Sequence, residues 1–383
     1  MKIVFFCPSL EPGRDGVGDY TRRLASECAR LGHDCRAIAL HDPHVTTETQ
    51  TLEGDIRLVR FPAEKSWGSR IARAFTLVSI AQPDWVSWQF VAYGFHPKGF
   101  VPLPLRHLST RFLSKPRCHV MLHELWIGLE TTSNLRSRIV GWEQRREVLG
   151  WLRKLRPGAL HTSNPTYQAE LARRGLTAGV LGLFGNMPIV TEPAPEGLGL
   201  ERFLPGAVGA NRSGWLIATT FGTLHPQWQP EATVSWLIAT AQRLGKKPAL
   251  IAAGRLGAHH GELLLHFTTR GVPVSITGEQ SPEAISQLLL GSDFGIAPHP
   301  WALIGKSGAA AAMLEHGLPV VVPRDEWKLR DMHEQPPATH DPLLVRLEGL
   351  DADKTDRWLM SRRPPQAALP RIAENFLQAL GSV

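Results

Sequence analysis

Lys306-Ser307-Gly308 stand at the head of four alanines, Ala309 to Ala312, and are followed by Gly317-Leu318-Pro319 and the apolar Val320-Val321-Val322. This order reads as a glycine-bearing loop, a small-residue helix, a turn and a buried strand. Where such a loop becomes helix, the first N–H groups lack intrahelical partners and the positive dipole end faces outward, which favours a phosphate or carboxylate. Gly305 leaves room for a ligand to approach backbone, Lys306 adds a full charge and Ser307 a hydroxyl. Alone, the same residues also suit a tightly packed helix with a solvated lysine.

Four other loops carry chemistry. In Glu11–Tyr20, Gly16 and Gly18 would let backbone N–H groups approach an anion, with Asp19 and Tyr20 beside them. Their order is G-x-x-G-x-G in a long loop, which does not fit the G-x-G-x-x-G turn of a dinucleotide-binding dehydrogenase. His123-Glu124-Leu125-Trp126 follows an apolar run, so His123 is placed to shuttle a proton or bind a sugar hydroxyl, with Glu124 adjacent. Gly222 permits close approach before Thr223 and His225, and Gly278-Glu279-Gln280 ends a further run where a base could rest. No spacing suits a metal, no G-x-S-x-G elbow supports a serine nucleophile, and no nucleic-acid module is recognisable.

These loops need strands and helices to hold them. Apolar runs at Lys2–Cys7, Asp34–Leu40, Ile56–Phe61, Asp84–Phe90, Arg117–Leu122, Ala159–Ser163 and Gly179–Phe184 alternate with helical spacing at Val17–Leu31, Ser69–Ile80, Asn134–Leu155 and Pro165–Arg174. Residues 41–55 read as turn. The pattern restarts with strands at Trp215–Thr220, Ala249–Ala253, Val272–Thr277, Asp293–Ala297 and Pro319–Val322, with helices at Pro230–Leu244, Leu256–Arg270, Pro282–Leu290 and Lys306–His316. A last amphipathic helix is predicted at Arg371–Leu380. Such alternation implies parallel sheets built from βαβ units.

A chain of 383 residues exceeds the size of one hydrophobic core. The expected division is an N-terminal domain at 1–188, a Pro- and Gly-rich linker at 189–213, a C-terminal domain at 214–360 and a terminal helical segment at 361–383. Residues 1–190 hold 25 Lys and Arg against 16 Asp and Glu, and the remainder 17 against 19. A basic first half suits an anionic partner, and equally a solvated basic face. The four cysteines form no C-x-x-C pair, which suits a reducing cytoplasm, and no run approaches the ~20 apolar residues of a spanning helix. The basic stretches Lys98–Lys115 and Arg145–Arg156 are compatible with a lipid-linked acceptor at an anionic membrane, and with a soluble acidic one.

Taken together, Gly16-Val17-Gly18-Asp19-Tyr20-Thr21-Arg22-Arg23-Leu24, Asn186, Ile276-Thr277-Gly278-Glu279 through Leu288, Ser292-Asp293-Phe294, Pro298 and Gly317-Leu318-Pro319-Val320-Val321 resemble the GT-B fold glycosyltransferases, specifically glycosyltransferase family 4. The resemblance covers most of the chain. It implies an α/β fold of two doubly wound Rossmann-like domains facing a central cleft. The donor nucleotide sugar would lie on the C-terminal domain, at Gly222, Thr223, His225, Glu279, Gly305, Lys306, Ser307, Gly308 and Glu315, with Gly16 and Gly18 facing its phosphates. The acceptor, a sugar, glycan or lipid-linked molecule, would meet Asp19, Tyr20, Glu124 and Trp126. His123 and Lys306 would be catalytic, the reaction metal-independent and retaining, and no cofactor or nucleic acid involved. The expected setting is cytoplasmic, with peripheral contact at the inner membrane face. Two alternatives share the fold: a non-catalytic nucleotide-sugar or glycan binder, and a sugar-nucleotide epimerase or phosphorylase. The family's two donor-site glutamates fall on Ile304 and Ala312, and Glu315, about one turn beyond, is the candidate substitute for the second.

Overall fold

The computed structural model describes residues 1–110, 116–190, 200–204, 212–332, 334–336 and 341–381. The chain divides into two compact units. Unit 1 comprises Met1–Gly182, Leu329–Pro336 and Leu369–Val383, and unit 2 comprises Leu183–Lys328 and Pro337–Ala368. Most of the expected linker at 189–213 lies outside the described residues.

Unit 1 begins β1 (Lys2–Cys7), α1 (Gly16–Arg30), β2 (Asp34–Asp42), β3 (Thr49–Glu53), β4 (Ile56–Pro62), α2 (Trp67–Ala81) and β5 (Trp85–Phe90). It continues α3 (Ala92–Phe95), α4 (Leu103–Thr110), β6 (Arg117–Leu122), α5 (Leu135–Leu155), β7 (Ala159–Thr162), α6 (Pro165–Ala172) and β8 (Gly179–Val180). The sheet runs β3-β4-β2-β1-β5-β6-β7-β8 and is parallel except for β3. Strand order reverses between β1 and β5, so the loops leaving those strands are where this topology places ligands. Asp15, Asn134 and Asn164 cap α1, α5 and α6 with side-chain oxygens, which is why these helices start where they do. β1 and β5 are buried on both faces, and Trp88 packs between Phe6 at 4.7 Å and Trp151 at 5.7 Å.

Unit 2 holds β9 (Trp215–Phe221), α7 (Glu231–Arg243), β10 (Lys247–Ala253), α8 (His260–Thr268), β11 (Val274–Gly278), α9 (Pro282–Gly291) and β12 (Phe294–Ile296). A 3-10 turn at Trp301–Lys306 then leads to α10 (Gly308–Glu315), β13 (Val320–Val322), β14 (Leu344–Arg346) and α11 (Ala352–Leu359). Its sheet, β11-β10-β9-β12-β13-β14, is parallel throughout and reverses order between β9 and β12. Alternate residues feed two apolar layers: Ile217, Ala249 and Ile251 pack on one face, and Leu216, Ala218 and Leu250 on the other. The final helix α12 (Leu369–Gly381) belongs to unit 1, where Phe376 packs against Phe5 at 5.7 Å and His119 at 5.1 Å.

Three local readings change. Residues 49–53, expected as turn, form β3, an antiparallel edge strand whose Thr-Gln-Thr-Leu-Glu sequence has no buried face. The strand expected over Gly179–Phe184 pairs only at Gly179 and Val180. α10 starts at Gly308, because the preceding turn is 3-10 and Ser307 is the cap.

Candidate functional site

In unit 1 the first loop folds on itself through its own acids. Asp15 Oδ1 accepts from the Gly18 N–H at 2.7 Å, and the Asp19 carboxylate accepts from the Gly13 N–H at 3.0 Å. A Cβ on Gly18 would sit 2.4 Å from the Ser9 carbonyl oxygen, so this glycine lets α1 pack against the end of β1. Its N–H and its missing side chain thus serve the loop, whereas Gly16 faces open space. Tyr20 is buried, its ring edge-on to His123 with centroids 4.9 Å apart, and burial raises its phenol pKa.

His123 heads a chain of buried polar side chains that the sequence did not announce. Its Nε2 donates to Gln89 Oε1 at 2.9 Å, and Gln89 Nε2 donates to Ser87 Oγ at 2.8 Å. Ser87 Oγ is in turn hydrogen-bonded to His119 Nδ1 at 2.8 Å, and His119 Nε2 to His161 Nδ1 at 3.1 Å. Burial, aided by His161 and His123, holds His119 neutral, and burial pulls His161 down to about 4. The Gln89 amide oxygen accepts only, so its bond to Nε2 fixes the tautomer and orientation of the His123 ring. Glu124 is half-buried beside it, and Trp126 is buried where the loop after β6 lines a cavity against α5 and α6.

In unit 2 the loops after β9, β12 and β13 bring basic side chains together at the switch point. Gly222 has φ +77°, a conformation that favours glycine, and its N–H donates to the Ala253 carbonyl at 3.0 Å. Thr223 is exposed and His225 half-buried. His299 is pulled down to about 4 by burial first, then by His225, Lys306 and Arg324. His225 is itself lowered by burial and by Arg324. These four groups therefore share one field. Arg324 is only 4% exposed, and its Nε and Nη1 have no hydrogen-bond partner among the described residues. Only Nη2 is held, by Gln227 Oε1 at 3.1 Å and by the half-exposed Glu326.

Ser307 caps α10, accepting from the Ala310 N–H at 3.2 Å, and its own N–H goes to the Ile304 carbonyl at 2.9 Å. The donors left for an anion at this helix start are therefore Gly308 and Ala309. Gly305 and Lys306 are half-buried in the turn before the cap. Glu279 is exposed after β11, with Arg255 3.6 Å away. Glu315 is not part of the cluster: its carboxylate accepts from the Gly185 N–H at 3.0 Å and the Ala368 N–H at 3.1 Å. Among the described residues, no three His, Cys, Asp or Glu side chains gather as a metal site. His299, Arg324 and the Gln89–His161 chain are the additions to the residues singled out by sequence.

No protein-family model matches the chain, and no curated protein matches it in sequence. Solved structures do match. The catalytic domain of starch synthase IV from Arabidopsis thaliana, bound to ADP and acarbose, superposes with a TM-score of 0.56 at 11% identity, covering 100% of this chain and 99% of that one. HepE (Alr3699) from Anabaena, in complex with UDP and glucose, gives 0.56 at 15% identity over 100% of both chains. The lipopolysaccharide outer core galactosyltransferase WaaB gives 0.56 at 13%, covering 100% of this chain and 99% of that one. At these identities the likeness establishes architecture: the chain has the GT-B fold, with two parallel-sheet Rossmann-like units.

Proposed function

We propose that the protein is a glycosyltransferase that moves a sugar from a nucleotide-sugar donor to a sugar, glycan or lipid-linked acceptor in glycan, polysaccharide or glycolipid synthesis. The observation that carries this reading is the basic cluster of unit 2, where Lys306 and a buried Arg324 with two orphaned donors stand beside His225 and His299, both with lowered pKa, at the switch point of a parallel sheet. A diphosphate fits that field, and HepE and starch synthase IV, on the same fold, were solved with UDP and ADP. The cluster would stabilise the negative charge that grows on the departing diphosphate, the term that usually dominates such catalysis. With cations and helix N–H groups neutralising it, the reaction would need no metal and no cofactor. Unit 2 would hold the donor and unit 1 the acceptor, with the oriented His123 ring meeting a sugar hydroxyl. Retention at the anomeric carbon is expected, and the product's anomeric NMR signal checks it. A cytoplasmic enzyme meeting a membrane-bound acceptor would touch an anionic membrane peripherally.

Binding without transfer is a second reading, favoured by one observation: Ile304 and Ala312, where the resemblance expects carboxylates, are buried in the apolar core. A panel of nucleotide sugars separates the readings. Saturation-transfer NMR reports binding, and release of nucleoside diphosphate reports transfer or donor hydrolysis. Binding with no release would leave a binder, and sugar 1-phosphate formed from a glycan and inorganic phosphate in a parallel assay without nucleotide sugar would mark a phosphorylase. Lys306→Ala should cut turnover by orders of magnitude with the fold intact, and wild-type turnover in that variant would sink the assignment.

A further inference from the structure

We infer that unit 1 carries a docking pocket for the anionic headgroup of a membrane lipid, built by α5, α6 and the returning segment around Arg330. The inference rests on the membrane part of the reading above and not on the donor chemistry. The cavity measures about 370 Å³, and five guanidiniums line it: Arg138, Arg145, Arg173, Arg174 and Arg330. Three are fixed by the fold. Glu170, 1% exposed, takes Arg173 at 3.1 Å and Arg174 at 2.9 Å. Arg173 also donates to the Arg330 carbonyl at 2.8 Å, and Arg330 to the Glu130 carbonyl at 2.9 Å. Arg145 stands in their field: burial and then Arg174 lower its pKa, with Glu170 opposing. Among the described residues no carboxylate lies in salt-bridge range of Arg138 or Arg145. A half-buried guanidinium beside two others, without an ion pair, is an electrostatic cost that an anion relieves.

The rim shows what carries that anion. Leu135, Ile139 and Trp142 line the same cavity and are 69%, 61% and 54% exposed. Their i, i+4, i+7 spacing puts them on one face of α5. Three large apolar side chains held in water beside arginines make a surface for a phosphate joined to an apolar body, with tryptophan at headgroup depth. Dissolved phosphate would use the guanidiniums and leave the apolar face wet; a lipid surface uses both.

The test uses the full chain and phosphatidylcholine vesicles with and without phosphatidylglycerol, read by co-sedimentation. Binding should require phosphatidylglycerol. Arg138→Gln with Arg145→Gln should weaken it at least about tenfold, from roughly 1 kcal/mol per basic residue at an anionic surface. Ile139→Ser with Trp142→Ser, both exposed, should also weaken it while keeping the thermal midpoint. Arg153→Gln with Lys154→Gln removes the same charge from the same helix outside the cavity, and should stay within about threefold of wild type, because screened charges away from the contact contribute little. Equal losses in the two charge pairs would overturn the pocket and leave only diffuse attraction. Equal binding to both vesicles would overturn the pocket and the membrane part of the reading together, leaving donor transfer standing. Displacement from vesicles by inorganic phosphate alone would overturn the lipid assignment.

Discussion

Arg324→Met separates a ligand-binding group from a structural one. The guanidinium is buried with Nε and Nη1 unpartnered, while Nη2 meets Gln227 and a half-exposed Glu326. Each orphaned buried donor costs about 1–3 kcal/mol, against about 1 kcal/mol returned by the Gln227 bond. The Glu326 pair, open to water on one side, returns roughly 0–1 kcal/mol. Methionine of similar reach removes both the cost and the return. The fold should therefore change by less than about 1 kcal/mol or become more stable. Binding should move the other way. Two charge-assisted bonds to a diphosphate at about 1.5–3 kcal/mol each correspond to a Kd raised by roughly 10²- to 10⁴-fold. Calorimetric titration with UDP, ADP and GDP, alongside thermal melts, reads both quantities. His299 supplies an internal check: burial dominates its low pKa, but Arg324 contributes, so its NMR titration should shift upward in the variant. A variant that binds like wild type but loses more than about 3 kcal/mol of stability would refute the reasoning, since that is the signature of a broken structural ion pair.

Acid sensitivity follows from His299 and His161, both held near 4 by burial. Between pH 6.5 and 4 the unfolded chain binds protons that the native state refuses, so the stability these residues confer is present above 6.5 and lost as pH falls. His299→Phe and His161→Phe melts should show a flatter acid limb. An anion in the unit 2 cluster favours charged His299, so nucleoside diphosphate should bind with proton uptake, seen as a buffer-dependent binding enthalpy. Gly18→Ala places a Cβ 2.4 Å from the Ser9 carbonyl oxygen and should cost about 1–3 kcal/mol of stability in denaturant melts. Gly16→Ala, with nothing within 4 Å, should be neutral or stabilising by about 0.5–1 kcal/mol. Gln89→Met takes partners from Ser87 and His123, and should lower stability by about 1–3 kcal/mol and reduce turnover without altering nucleotide affinity.

The alternation of strands and helices is legible because central parallel strands are buried on both faces and read as continuous apolar runs, as in Lys2–Cys7 and Ala249–Ala253. β3 is invisible for the complementary reason: an exposed edge strand needs no apolar face. Lys306 and His123 stand out because each follows a strand directly. Arg324 does not, since it sits among Pro323, Asp325 and Glu326, a stretch that looks like charged surface, and only the pairing of β13 beside β12 brings it to His299. The chain from His123 to His161 depends likewise on the register of β5, β6 and β7. The clue available in sequence is a histidine inside an otherwise apolar strand, at 119 and 161.

The missing carboxylates lead to a last expectation about what the donor site reads. In the resembled family, glutamates at the positions of Ile304 and Ala312 bind the donor's sugar and ribose, but here both side chains are 2% exposed or less and packed in the core. Glu315 cannot replace them, because it holds the Gly185 and Ala368 N–H groups, tying two segments of unit 2 to α10. Glu279 is exposed, with Arg255 3.6 Å away. The cluster therefore offers many partners to phosphate oxygens and few acceptors to ribose hydroxyls, and it is hydroxyl-binding groups that give steep discrimination. UDP, ADP and GDP should bind within about tenfold of one another, roughly 1.4 kcal/mol, pyrophosphate should compete with all three, and nucleosides lacking phosphate should not bind measurably. Glu315→Gln should lower the melting temperature and leave this ranking unchanged. A single nucleotide favoured by more than about a hundredfold, roughly 2.7 kcal/mol, would show instead that base or ribose is read by side chains outside the cluster, and that phosphate recognition is not the main source of affinity.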